Sequence, residues 1–113
     1  LITFLLLLQI KHWYVDFVMQ TMDMVKSKGK YGDWQGMLHS IQHGVATLLI
    51  CSIFASWPVA IFLAGFDVIT HYHIDWVKMN YGNRDITTPQ FWNHLGLDQM
   101  AHQIVYLIIA LLI

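Results

Sequence analysis

The chain has 113 residues, 57% of them hydrophobic and only 12% charged, with a mean hydropathy of +0.50. An ordinary soluble domain carries roughly 25% charge, so this is a membrane composition. A formal net charge of -1 with this apolar content excludes a nucleic-acid binder, an acidic tail and a disordered segment. A single cysteine, Cys51, excludes an internal disulfide framework and a cysteine-based zinc motif, and its apolar setting reads as packing.

A bilayer core needs roughly 20 helical residues, and four windows of that kind are expected: about 1–25, 36–56, 58–78 and 95–113. The predicted fold is therefore all-α, a polytopic membrane protein built as a four-transmembrane-helix bundle in a single domain over 1–113. The first window opens on the run Leu1–Leu8 but contains Lys11, His12 and Asp16, so it reads either as a span or as a span's end followed by an interfacial helix. Because the chain begins at Leu1 and stops inside an apolar run, both ends are expected to be cut. No cleaved signal peptide is expected, since no basic segment precedes the opening run.

The connections predict orientation. Lys26, Lys28 and Lys30 follow the first window, and Lys78 and Arg84 flank the loop after the third, whereas the joint Ser56-Trp57-Pro58 carries no charge. By the excess of cations, the two longer loops are cytoplasmic and both termini outside. The three lysines read as a solvated, topology-setting group, and Trp34, Trp57, Trp76, Tyr81 and Trp92 as interfacial anchors. Gly36, Ser40 and Gly44, with Ala60 and Ala64, recur every fourth residue and predict close helix approach.

All seven acidic residues are aspartates, and there are seven histidines. Four residues return an α-helix to nearly the same face, and each window carries polar residues at that spacing. The first has His12, Asp16 and Gln20; the second His39 and His43; the third Asp67, His71 and Asp75, with Lys78 nearly a turn on; the fourth Asp98, Gln99 and His102. At about 1.5 Å per residue, His43, His71 and His102 fall about 9 to 11 Å from the lysine-bearing face, and Asp16 about 13 Å. An acidic residue at a helix centre costs roughly 2.5 to 3.5 kcal/mol, so these groups are expected to face the bundle interior.

Three readings follow. Asp16, His39, His43, Asp67, His71, Asp98 and His102 can ligate a divalent metal (zinc, manganese or iron), with Asp75 as a base and Lys78 holding an anionic group such as a phosphate. That reading is a metal-dependent hydrolase of an amphiphilic phosphate or ester. The same residues can form a proton or ion relay. They can also be a paired polar network inside a non-catalytic subunit that packs against a membrane partner or a second copy of itself. His73 and His94 read as ordinary interfacial residues. Partners are then the lipid bilayer and such a protein, not nucleic acid.

The motif order His-x-x-x-Asp-x-x-x-Gln, His-x-x-x-His, His71-Tyr-His-x-Asp75-x-x-Lys78 and Asp98-Gln99-x-x-His102 resembles a family of small polytopic membrane proteins of bacteria and their phages, catalogued as a domain of unknown function. The resemblance covers nearly the whole chain and implies a bacterial inner-membrane location without implying an activity. The His-x-x-x-Asp segment from His71 to Asp75 is more weakly similar to inner-membrane metal-dependent hydrolases.

Overall fold

The computed structural model describes residues 1–113 and is all-α, with no strand. Helix α1 (Ile2–Trp13) runs without a break into a π-helical turn (Tyr14–Met19), and a short α2 (Met22–Ser27) follows. The long helices are α3 (Trp34–Phe54), α4 (Trp57–Tyr81) and α5 (Pro89–Leu112).

The first helix thus ends earlier than the sequence suggests. Gln20 turns extended, its side-chain amide donates to the Asp16 carbonyl at 2.8 Å, and Thr21 starts α2 by accepting from the Met24 amide. α5 starts earlier than expected, because Thr88 accepts from the Phe91 amide and Pro89 occupies the first turn. Just before it, the Thr87 hydroxyl and amide donate to Asp85, holding that carboxyl below the usual range.

Three segments are long and apolar enough to cross a membrane: Ile2–Met19, Trp34–Phe54 and Pro89–Leu112. Four windows were expected, and the one in α4 is not among these three. α4 has the length, at 25 residues, but Asp67, His71, His73, Asp75 and Lys78 lower its apolarity.

α3 and α4 form the closest pair, joined through Ala55 and Ser56, and α1 and α5 complete the bundle. A Cβ on Gly44 would fall 2.1 Å from Val68 Cγ2, so the glycine is what lets the two helices approach. The interior divides in two. Phe4, Leu8, Cys51, Ala60, Leu63, Val105, Tyr106 and Ile109 form an apolar core at one end. The other end is polar, because alternating helix directions bring together the C-terminal part of α1 and its π-turn, the start of α3, the second half of α4 and the first half of α5.

The connection between α2 and α3 is tied to the second half of α4 at this end. The Asn80 side chain donates to the Gly29 carbonyl at 3.2 Å, the Gly32 amide donates to the Tyr72 hydroxyl, and Tyr31 meets His73 Nε2 at 2.9 Å. Outward, Leu6, Ile10, Leu49, Ile53, Ile61, Phe62, Ile69, Leu107 and Leu111 are exposed, leaving an apolar exterior around a charged interior.

Candidate metal centre

Four carboxylates are buried: Asp16, Asp67, Asp75 and Asp98. Three of them have a lysine. Lys11 Nζ lies 2.7 Å from Asp67 Oδ2, Lys28 Nζ 3.1 Å from Asp75 Oδ2, and Lys78 Nζ 3.4 Å from Asp98 Oδ2. Asp16 has none. It is surrounded by imidazoles, with His43 Nε2 at 2.7 Å, His39 Nε2 at 2.9 Å and His71 Nε2 at 3.6 Å from Oδ1, and His12 Nε2 at 3.2 Å from Oδ2.

The backbone explains the convergence. His39 and His43 sit one turn apart near the start of α3, and the π-turn carries Asp16 between them and α4. π-helical turns interrupt the ordinary register and are frequent at functional sites. His71 stacks between His43 and His102, with ring centroids at 3.7 and 4.1 Å, so three imidazoles form a column.

Two groups in this column have ligand atoms within 4.8 Å of one another: Asp16, His39, His43 and His71, and then His71, Asp75 and His102. His71 belongs to both. Tetrahedral zinc with bonds near 2.0 to 2.1 Å sets its ligands roughly 3.3 Å apart, the range that the Asp16 distances span. Both ring nitrogens of His71 and Nδ1 of His39 are buried without a hydrogen bond, although His71 Nε2 lies 3.1 Å from Asp75 Oδ2. Buried polar atoms are nearly always hydrogen-bonded, so His71 Nε2, beside the carboxylates of Asp16 and Asp75, suits a cation.

The other expected site residues are placed differently. Asp67 is buried but taken up by Lys11 and by the Thr47 hydroxyl, away from either group. Asp98 accepts from Lys78 and Gln99, and its Oδ1 lies 3.4 Å from His102 Nε2, at the edge of the second group. Asp75 Oδ1 lies 3.2 Å from the same His102 nitrogen. His12 is fully engaged by Tyr106, Gln99 and Asp16, which makes it a positioning residue for Asp16. His73 and His94 lie outside both groups.

Lys28 corrects the reading of the three lysines as solvated. It is only 5% exposed and reaches inward to Asp75. The Gly36 amide donates to the Ser27 hydroxyl at 2.8 Å, and a Cβ on Gly36 would come within 3.3 Å of Lys28 Cα. The bare start of α3 therefore lets the loop settle low enough to carry Lys28 into the cluster. Lys11 is the second cation that the sequence reading passed over. Its position one residue before His12, inside an apolar helix, is the signal for it, because a mid-span cation needs a buried carboxylate.

No curated protein and no solved structure matches the chain. A family model matches residues 2–113. The chain belongs to the family described as Protein of unknown function (DUF3307).

Proposed function

We propose that this protein is a four-span membrane bundle whose Asp16, His39, His43 and His71 hold a divalent metal; the group of His71, Asp75 and His102 shares the single Nε2 lone pair of His71 and takes no second ion beside it. The observation that carries the reading is Asp16, the one buried carboxylate with only imidazoles around it. Removing a carboxylate from water costs several kcal/mol unless a cation compensates it. Three neighbouring aspartates receive a lysine for that purpose, and a metal ion does the same for Asp16.

The surrounding contacts adjust simply. Ligation through Nε2 puts the ring hydrogen on Nδ1, so at His43 the 3.0 Å contact from Lys11 Nζ gives way and Lys11 keeps Asp67. His39 and His71 have unpartnered Nδ1 atoms and need no such exchange.

α4 is the fourth span. Its polar residues Asp67, His71 and Asp75 are buried in the bundle, while Ile61, Phe62, Ile69 and Val77 point outward. Mean hydropathy weighs every residue alike, whereas the bilayer meets only the outer face. The lysine-bearing loops lie on the cytoplasmic side and both termini outside, in a bacterial inner membrane.

The reaction class is metal-assisted hydrolysis of an amphiphilic phosphate or ester, in which the ion supplies Lewis acidity. Asp75 is the proton acceptor, positioned by His102 at one oxygen and by Lys28 and His71 at the other. The test uses purified protein loaded with zinc or manganese and given a long-chain phosphomonoester. Turnover is expected in wild type and a loss of about 100-fold or more in Asp75→Asn with Asp16-site metal retained. Equal rates in the two proteins would overturn the hydrolase reading and leave the metal centre standing.

A further inference from the structure

Two adjoining cavities open at the polar end, outside the Asp/His groups. The first encloses about 380 Å³ and is lined by Lys26, Lys78, Asn83, Arg84 and His94, with apolar side chains between them. No carboxylate lines it. Lys26 and Arg84 make no ion pair; Arg84 spends Nε and Nη2 on the Met79 carbonyl, which fixes the guanidinium and leaves Nη1 free. His94 Nδ1 accepts from the Asn83 amide at 2.8 Å, so the neutral ring carries its hydrogen on Nε2, as a further donor.

The second cavity, about 440 Å³, runs between α4 and α5 and shares Lys78 and His94 with the first. Its wall is otherwise mostly apolar, with Ile74, Val77, Leu97 and Ala101. It ends at Asp98, beside His102 and hence beside the second candidate metal group.

We propose that the two cavities form one site for an anionic amphiphile, the phosphate group held by Lys26, Lys78 and Arg84 and the hydrocarbon chain in the α4–α5 groove. Lys26 and Arg84, which make no ion pair, converge on the first cavity with Lys78, which also reaches Asp98 in the adjoining one, and this excess of cations matches a phosphate and not a zwitterion. Free phosphate would use the basic cavity alone. The apolar groove joined to it through Lys78 selects a phosphate that carries a chain. As a substrate site this rests on the hydrolase reading; as a binding site it does not.

The test is native mass spectrometry of the detergent-purified protein offered phosphatidic acid, phosphatidylcholine with the same chains, or inorganic phosphate, each with and without EDTA. Phosphatidic acid is expected to be retained over phosphatidylcholine, with EDTA making no difference, so a failed metal reading does not touch the result. Lys26→Gln with Arg84→Gln is expected to weaken retention by about tenfold or more. Lys30→Gln, a cation on the same loop outside the cavity, is expected to have no such effect, and unchanged circular dichroism shows that both variants fold. Equal retention of the two lipids, or equal behaviour of the two variants, would overturn the phosphate site. Inorganic phosphate binding as tightly as the lipid would overturn the role of the groove.

Discussion

Lys28 Nζ lies 3.1 Å from Asp75 Oδ2, and both side chains are buried although Lys28 belongs to a loop. Breaking a buried ion pair by removing one partner leaves the other charge uncompensated and costs roughly 3 to 5 kcal/mol. Lys28→Met is therefore expected to lower thermal stability markedly, whereas Lys30→Met, at an exposed position, stays close to wild type. A divalent ion held on His71, whose Nε2 lies 3.1 Å from Asp75 Oδ2, supplies part of the missing charge, so added zinc or manganese should recover more stability in Lys28→Met than in wild type. Melting curves with and without metal check both halves.

Gly44 offers a packing test. A methyl group there meets Val68 Cγ2, a stiff β-branched carbon, and overpacking of this kind costs about 1 to 3 kcal/mol. Gly44→Ala should destabilise the bundle, and adding Val68→Ala should return most of the loss, because the second change removes the carbon that clashes. A double-mutant cycle on denaturation gives the coupling directly.

Topology is open to cysteine labelling because the native Cys51 is fully buried. Cysteines placed at Lys30 and Ile86, in the two longer connections, should both be shielded from an impermeant outside reagent in intact cells, and one at Trp57 should react. Labelling of just one of the two longer connections would mean that α4 does not cross.

Gly29 bears on the basic cavity. A Cβ there would lie 2.9 Å from Arg84 Nη2, the movable end of a long side chain. Gly29→Ala should leave the melting temperature nearly unchanged while displacing the guanidinium and weakening retention of an anionic lipid by about threefold to tenfold. Native mass spectrometry alongside a melting curve separates these effects.

The within-helix half of the site was legible from spacing. His39 with His43, His71 with Asp75, and Asp98 with His102 are four residues apart, and regular helices keep such pairs on one face whatever the tertiary structure. The opposing directions of the helices, inferred from the lysine-bearing loops, likewise agree with the polar end that forms. What spacing could not show was the pairing between helices. Lys11 meets Asp67 across 56 positions, and Asp67 thereby leaves the ligand set that its distance from His71 suggested. Lys28 was hidden by its neighbours, since Lys26 and Lys30 are solvated and nothing local separates the three; the depth of the loop depends on Gly36, nine residues from Ser27. The π-turn was equally hidden, because a change of helical register leaves no compositional mark. α4 shows the opposite difficulty: its polar residues, which define the site, are the reason that it falls short of a span by composition.

Elemental analysis of the detergent-purified protein tests the metal centre most directly. After incubation with zinc, manganese or iron and removal of the excess, wild type should retain about one equivalent of metal. His102→Ala, which leaves the Asp16 group intact, should retain about one, and His71→Ala, which removes one of its four ligands, should retain much less. Wild type without stoichiometric metal, or with the same content as His71→Ala, would contradict the account.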